Sequence, residues 1–539
     1  MKKKLVSMLL VAAMATTLVT GCGSQAASTE SAASDTTAAT TAAEAPAAEE
    51  AAPAAEEVAK PEKITMMVDG TVVTQANGRD AFEARWEELT GIDLVINQPD
   101  HDAYYEQVSQ TIASGELPDV ILLSANYYSS YAAAGLLWDM TDAYENSELK
   151  ASSRFIGDSV EQGLKIDGKL YGFAPTRGNG CVTYVKQSWL DNCGIKAPTN
   201  YDEYIAMLDA FTNGDPDGNG VDGDTYAVSA AGYVGSEAPF TNYMAEFYQD
   251  AYPSFYQKED GTWVDGFTED SMKAAMQRIQ DAANAGYLDP ETLTNGTKDC
   301  RNKFYEDKFG VFTYWAGTWA TNLKTNLEAN DLNGDLVALP PIAEVAAGGG
   351  YFDRVPPVWC ITTACENPEG VFKYFIETML DGGDMQTLWT YGVEGTHWST
   401  AAETFTFGEG EDAKTYEYAE GEFHMLENLE TPGTFYKKNH IDPMLSLAKF
   451  EGEDPGLATV ADEAKASQEL FNNNSHVADL AVTTDAMQEY NGDLWNKKAE
   501  LIAKVAQNQM SVEDAYAEFE AGGYAANSQA IVDSLNALN

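Results

Sequence analysis

Between Ile64 and Leu123 the spacing of apolar residues alternates between the strand and helix periods, and this alternation limits the fold more than any other feature of the chain. Ile64 to Val68 is a short apolar run of strand length. Phe82, Trp86 and Leu89 then fall at i, i+4 and i+7, one face of a helix. Gly91 ends that helix, and Asp93 to Ile96 reads as a second strand. Tyr104 to Ile112 is again helical. After Gly115 and Pro118 comes Val120 to Leu123, apolar at every position. Parallel neighbours need a crossover, and helices fill each one here. The expected class is α/β, a parallel sheet with helices on its faces.

A turn-rich passage, Ala174 to Gly180, opens a second region. Met272, Met276, Ile279 and Ala283 mark a long helix stopped by Gly286. Asn367 caps another, with Pro368 at its first position, where the missing N–H costs nothing. Its buried stripe is Val371, Phe372, Phe375, Ile376 and Met379. Near the end, Leu501, Ile502 and Val505 have helical spacing. Ser511 is a predicted N-cap, and Gly522 a stop. With 44% hydrophobic residues the region from 62 onward supports two or more cores.

The first residues do not belong to that fold. Lys2, Lys3 and Lys4 precede a nearly uncharged run from Leu5 to Val19, shorter than the ~20 residues of a membrane span. It closes on Val19-Thr20-Gly21-Cys22, which resembles the lipobox of bacterial lipoproteins. That resemblance implies cleavage before Cys22 and a diacylglycerol on its thiol, with each buried CH₂ contributing about 0.8 kcal/mol. Residues 23–61, rich in Ala, Glu, Ser and Thr and without an aromatic residue, have too little apolar surface to offset the entropy of ordering and are expected to be a disordered tether. The expected location is the extracellular face of the cell membrane, with the lipid as the sole attachment.

A formal net charge of −53 argues against nucleic acid, anionic lipid and polyanionic partners, and favours neutral or cationic ligands and bound cations. Beyond Cys22 there are five cysteines, Cys181, Cys193, Cys300, Cys360 and Cys365, and an odd number cannot all pair internally. Cys181–Cys193 and Cys360–Cys365 are possible bridges; buried thiols are the plainer reading. The five histidines form no zinc pattern.

Several short blocks occur in a telling order. They are Leu89-Thr90-Gly91-Ile92, Ala113 to Val120, Gly168-Lys169-Leu170-Tyr171-Gly172, Asp215 to Gly220, Gly286 to Glu291, Asn367-Pro368-Glu369 and Tyr391 to Trp398. Together they resemble the family 1 extracellular solute-binding proteins of ABC importers, in particular the larger oligosaccharide-binding lipoproteins of Gram-positive bacteria. The resemblance implies a two-lobed fold of the periplasmic-binding-protein kind, with lobe 1 near 62–178, lobe 2 near 181–345, and later segments shared between them. Ligand would sit in the cleft at the hinge, and the lobes would close on it. It also implies a monomeric binding protein rather than an enzyme, one that hands a neutral oligosaccharide to the permease's transmembrane subunits. The alternatives are a secreted glycoside hydrolase, which also uses carboxylates and aromatic clefts, and a peptide-binding or adhesive lipoprotein.

Asp215, Asp217 and Asn219 stand at positions 1, 3 and 5 of an EF-hand-like loop, with Gly220 at the turn and the Val221 carbonyl at position 7. Asp222 and Asp224 flank Gly223, where the family has an acid, and Tyr226 replaces the bidentate Glu. The expectation is a structural Ca²⁺ site. The same stretch spells GxGxxG, but no apolar strand precedes it and its acids would repel a pyrophosphate. For the ligand, aromatic rings cover the C–H faces of sugars and polar groups bond their edges. The candidates are Asn126 and Tyr127 after the strand ending at Leu123, Trp315 and Trp319 around Gly317, Trp359, and Glu394, His397 and Trp398. Trp86 lies on the apolar helix face and is expected in the core.

Overall fold

The computed structural model describes residues 58–538 except 70–72, 101–102, 153, 156–160, 162, 167, 231–244, 259, 293, 343–350, 354, 409, 411–412, 437–440 and 478–482. Cys22 and most of the expected tether lie outside the described residues. Two sheets are built from β1 (Lys63–Met67), β2 (Asp93–Asn97), β3 (Val120–Leu123), β4 (Cys181–Lys186), β5 (Tyr226–Val228), β6 (Phe309–Trp315), β7 (Leu336–Ala338) and β8 (Val358–Ile361). The first has the order β8-β3-β1-β2, the second β7-β4-β6-β5.

The alternating N-terminal pattern becomes the first sheet. Ile64 pairs with Leu94 and Met66 with Val120, both in parallel. α1 (Arg79–Thr90) crosses from β1 to β2 and α2 (Tyr104–Ser114) from β2 to β3. α1 buries Phe82 and Trp86 and ends on Gly91, whose φ of +66° and N–H bond to the Glu87 carbonyl close the last turn. The fourth strand departs from the expected parallel sheet. β8 arrives from far along the chain and pairs antiparallel with β3, Trp359 opposite Leu122. The second sheet is mixed: β6 runs antiparallel to β4 and parallel to β5.

Each sheet has its own core. Lobe 1 draws on residues 64–174, 358–389 and 441–448, lobe 2 on 182–342, Tyr351 and 471–535. The chain thus passes between cores three times: after Ala174, before Val358, and after Ala448. The passages touch, Thr176 bridging Ser446 and Tyr351–Asp353 pairing with Ser475–Val477. In lobe 2, α3 (Thr318–Ala329) follows β6, and α4 (Asp462–Asn474) and α5 (Asp485–Ala506) follow the third passage.

Local signals behave as their chemistry requires. Asn367 Oδ1 accepts the Gly370 N–H at 3.1 Å, and Ser511 Oγ accepts the Asp514 N–H at 3.1 Å. The stripe after Pro368 is buried, but its backbone changes from α to a π turn at Phe372–Ile376 and to 3₁₀ at Glu377–Leu380. The five cysteines beyond Cys22 are all free thiols, so neither possible bridge forms. Among the described residues no helix is long and apolar enough to cross a membrane.

Candidate functional site

At the carboxyl ends of β1–β3, where open α/β sheets place ligands, lobe 1 presents a wall of tyrosines. Tyr104 Oη donates toward the carbonyls of Met67 and Leu122, at 3.0 and 2.7 Å, which fixes α2 on the sheet. That leaves its neighbour Tyr105 turned outward. Tyr105 Oη accepts the Ser124 N–H at 2.8 Å, and its ring stacks on Tyr127 with centroids 4.0 Å apart and planes 8° apart. Tyr131 lies 5.8 Å beyond Tyr127. Asn126 shares the first turn of the helix Ala125–Ala133. Ser129 of that helix reaches the other lobe, its Oγ 3.0 Å from Thr483 Oγ1 just before α5.

Lobe 2 offers β6, whose carboxyl end is Trp315, and the turn into α3 that carries Trp319. Both rings are half-buried. Trp319 meets Tyr314 edge-on at 4.8 Å, and the Arg301 guanidinium lies 5.0 Å from its ring centre while donating to Tyr314 Oη at 3.3 Å. Arg301 thus holds Trp319 by a cation–π contact. Neither Arg301 nor Tyr105 was anticipated from sequence. Tyr105 was detectable, since Tyr104 faces the core and its helical neighbour must point elsewhere.

Two anticipated ligand residues are structural instead. Trp359 is fully buried among Phe375 and Trp389, with centroids 5.5 and 5.6 Å away. It sits in the middle of β8, every residue of which is buried, so it has no face for a ligand. His397 is 2% exposed. Its Nδ1 accepts the Val393 N–H at 2.9 Å, which leaves Nε2 to donate to the Asn77 carbonyl at 2.8 Å. Burial holds its pKa below the ordinary value. The ring therefore pins the 391–398 block to the loop entering α1, on the carboxyl side of β1. In that block Glu394 is exposed, with Oε1 3.4 Å from Thr400 Oγ1. Trp398 is half-buried, stacked on Phe423 at 5.0 Å and donating from Nε1 to the Gly392 carbonyl at 3.0 Å.

The acidic loop folds around an amide. Asn219 Nδ2 donates to Asp217 Oδ2 at 2.8 Å and to Asp224 Oδ2 at 2.9 Å, while its Oδ1 accepts the Val221 N–H at 2.8 Å. Asp215 Oδ2 accepts the Gly220 N–H at 3.0 Å, and its Oδ1 is buried without a partner. Burial pushes the Asp217 carboxyl above its ordinary value, and the nearby Asp215, Asp224 and Asp307 add to the rise. Val221 and Asp222 are exposed. Among the described residues no group of three or more His, Cys, Asp or Glu is gathered as a metal centre. An orphaned carboxylate oxygen beside converging carboxylates is nevertheless the donor set a hard cation suits.

The family profile described as bacterial extracellular solute-binding protein matches residues 79–397. A polygalacturonan/rhamnogalacturonan-binding protein of Bacillus subtilis (strain 168) is 23% identical over 395 residues, 70% of this chain and 75% of its own. An HMO-binding ABC-transporter-associated solute-binding protein from Bifidobacterium longum infantis superposes with a TM-score of 0.60 at 15% identity, over 88% of this chain and 99% of that one. An EF-hand mutant of the S. pneumoniae substrate-binding protein FusA, in complex with fructo-nystose, superposes with a TM-score of 0.52 at 18% identity, over 88% and 99%.

Proposed function

We propose, on the premise that the chain belongs to the bacterial extracellular solute-binding proteins, that it captures a neutral oligosaccharide between its lobes and delivers it to the transmembrane subunits of an ABC importer. It is a binding protein and not an enzyme, as its family and relatives are. The observation that supports the sugar reading is that each lobe carries aromatic rings at the carboxyl ends of its strands, Tyr105, Tyr127 and Tyr131 in lobe 1 and Trp315 and Trp319 in lobe 2. Flat rings at the carboxyl ends of strands suit the C–H faces of pyranose and furanose units. Asn126, Glu394 and Trp398 are proposed to complete the contacts. The net charge of −53 favours a neutral chain over the acidic polymers in the name of the Bacillus relative.

Calorimetry and tryptophan fluorescence with neutral oligosaccharides, oligogalacturonides and peptides test this. Neutral glycans should bind with micromolar-class affinity, about −8 kcal/mol. A response to oligogalacturonides alone would refute neutrality, and a response to peptides alone would refute sugar binding.

Two finer features belong to this reading. Asp215, Asp217, Asn219, Val221, Asp222 and Asp224 are proposed to hold a structural Ca²⁺, supported by the orphaned Asp215 oxygen and by a structural neighbour described as an EF-hand mutant. At 100 times Kd such a ligand adds about 2.7 kcal/mol, so chelator should lower the Tm, and Asp217→Ala should abolish that sensitivity. An unchanged melt in chelator would leave a bare acidic turn. Cys22 is proposed to carry the lipid anchor; a Cys22→Ala protein that still sediments with membranes would rule that out.

A further inference from the structure

The turn between β6 and α3 is secured by Ser467, a residue that joins lobe 2 only after the third passage of the chain. Gly317 has φ +73° and ψ −129°, a backbone state open to glycine. Its N–H donates to Ser467 Oγ at 3.2 Å, while Tyr184 Oη donates to the Trp315 carbonyl at 3.0 Å. Ser467 Oγ and Tyr184 Oη are 2.6 Å apart. Tyr184 has one proton, and the Trp315 carbonyl can only accept, so the serine hydroxyl donates to Tyr184. The result is a directional chain, Gly317 to Ser467 to Tyr184 to Trp315, which grips both ends of the turn. All of it is buried apart from the half-buried Trp315.

Ser467 lies on α4, the first helix after the third passage between the lobes. Its neighbour Gln468 donates from Nε2 to Asn472 Oδ1 at 3.0 Å, with Asn179 Oδ1 of the first passage at 3.4 Å. Arg177, also on the first passage, donates to Ser475 Oγ at 2.9 Å. From the lobe 1 side, Met444 Cε lies 3.3 Å from where a Cβ on Gly317 would stand, and Gln468 Oε1 only 2.6 Å. Two passages and the tryptophan turn therefore meet at one glycine. α4 is seated on lobe 2 through the buried Ala464, Ser467, Gln468 and Phe471. A cavity of about 560 Å³ separates Glu463 and Ala466 from Lys324, Asp335 and Leu336. That space leaves one flank of α4 uncovered beside Ser467.

We infer that Ser467 is a positioning residue for ligand capture: it couples movement of the hinge to the placement of Trp315 and Trp319. This inference rests on the proposed capture of glycan between the lobes. When the passages swing, α4 is drawn with them, and the hydroxyl chain carries the Trp315 carbonyl and the Gly317 N–H along. The lobe 2 wall thus takes its ligand-gripping position only as the lobes close.

The test compares wild type with Ser467→Ala, Ser467→Thr and Tyr184→Phe in the full chain, with distance labels at the exposed Glu87 of lobe 1 and Lys298 of lobe 2. Losing one buried hydroxyl link should weaken neutral-glycan binding roughly tenfold. The interlobe distance distribution should broaden even without glycan, and Ser467→Thr should restore both readouts. Tyr184→Phe keeps the ring and decides the matter should Ser467→Ala fold poorly. Wild-type affinity and wild-type distances in Ser467→Ala or Tyr184→Phe would overturn the coupling. If wild type binds no glycan, the capture reading falls, while the ligand-free distances still decide whether Ser467 couples hinge and turn.

Discussion

Lobe 1 carries tyrosines stacked on one another at the carboxyl ends of its strands, whereas lobe 2 ends its longest strand on Trp315 and holds the next turn with a hydroxyl from another part of the chain. The stacked wall is made of neighbours in sequence: Tyr105 on α2 and Tyr127 at the start of the following helix, both packed on the same sheet. Its geometry is set once lobe 1 folds. The tryptophan wall depends on Ser467 and Arg301, which come from different elements. Under the proposed capture of glycan, a preformed wall would supply a platform without ordering cost, and an adjustable wall would let contact energy drive closure. The two walls should therefore fail differently when mutated.

The largest expected effect lies in the lobe 1 core behind the platform. Trp359→Ala removes a fully buried ring from the cluster with Phe375 and Trp389 and should cost about 3–5 kcal/mol of stability. Urea unfolding measures it. A stable variant with lost glycan affinity would return Trp359 to the ligand site and break the contrast between core and wall. Next, Trp319→Ala should weaken glycan binding by about 2 kcal/mol, as an aromatic anchor does, with a smaller change in stability because the ring is half-buried. Calorimetry beside a melt separates the two effects; unchanged affinity would leave lobe 2 without an aromatic anchor at that position.

The smallest effect concerns pH. Burial lowers the folded pKa of His397 below the ordinary imidazole value of 6.5. On acidification the unfolded chain takes up this proton first, so the unfolded state binds more protons and stability falls as pH drops through that range. Protonation would also break the bond in which Nδ1 accepts the Val393 N–H. The Tm should decline between neutral pH and pH 5, and His397→Gln should flatten part of that decline. An identical slope in the variant would locate the acid sensitivity elsewhere.

What could be read in advance follows the same division. The β-α-β-α-β order of lobe 1 was legible because strands and helices there are local and differ in period. The second sheet was not, because β4, β5, β6 and β7 pair across long separations in mixed directions. Trp359 was misread because β8 is buried at every position, and a strand without an outward face has no alternation to show which rings meet solvent. The role of His397 depended on Asn77, more than three hundred residues earlier, and that of Trp319 on an arginine in another helix. The Asp215–Asp224 stretch was read as an EF-hand-like calcium loop; its short-range Asx contacts, centred on Asn219, are set by neighbouring residues, whereas no metal centre is gathered there among the described residues.

The threefold passage of the chain between the lobes also sets the order in which the protein can be made. β3 must wait for β8, synthesised after every strand of the lobe 2 sheet, and the lobe 1 core is finished only by residues 441–448. Lobe 2 in turn needs helices from the last part of the chain. Neither lobe can complete itself as a nascent unit, and loop closure over such separations is slow. A chain that cannot finish folding early stays extended, and open to whatever handles it, until nearly all of it has been made.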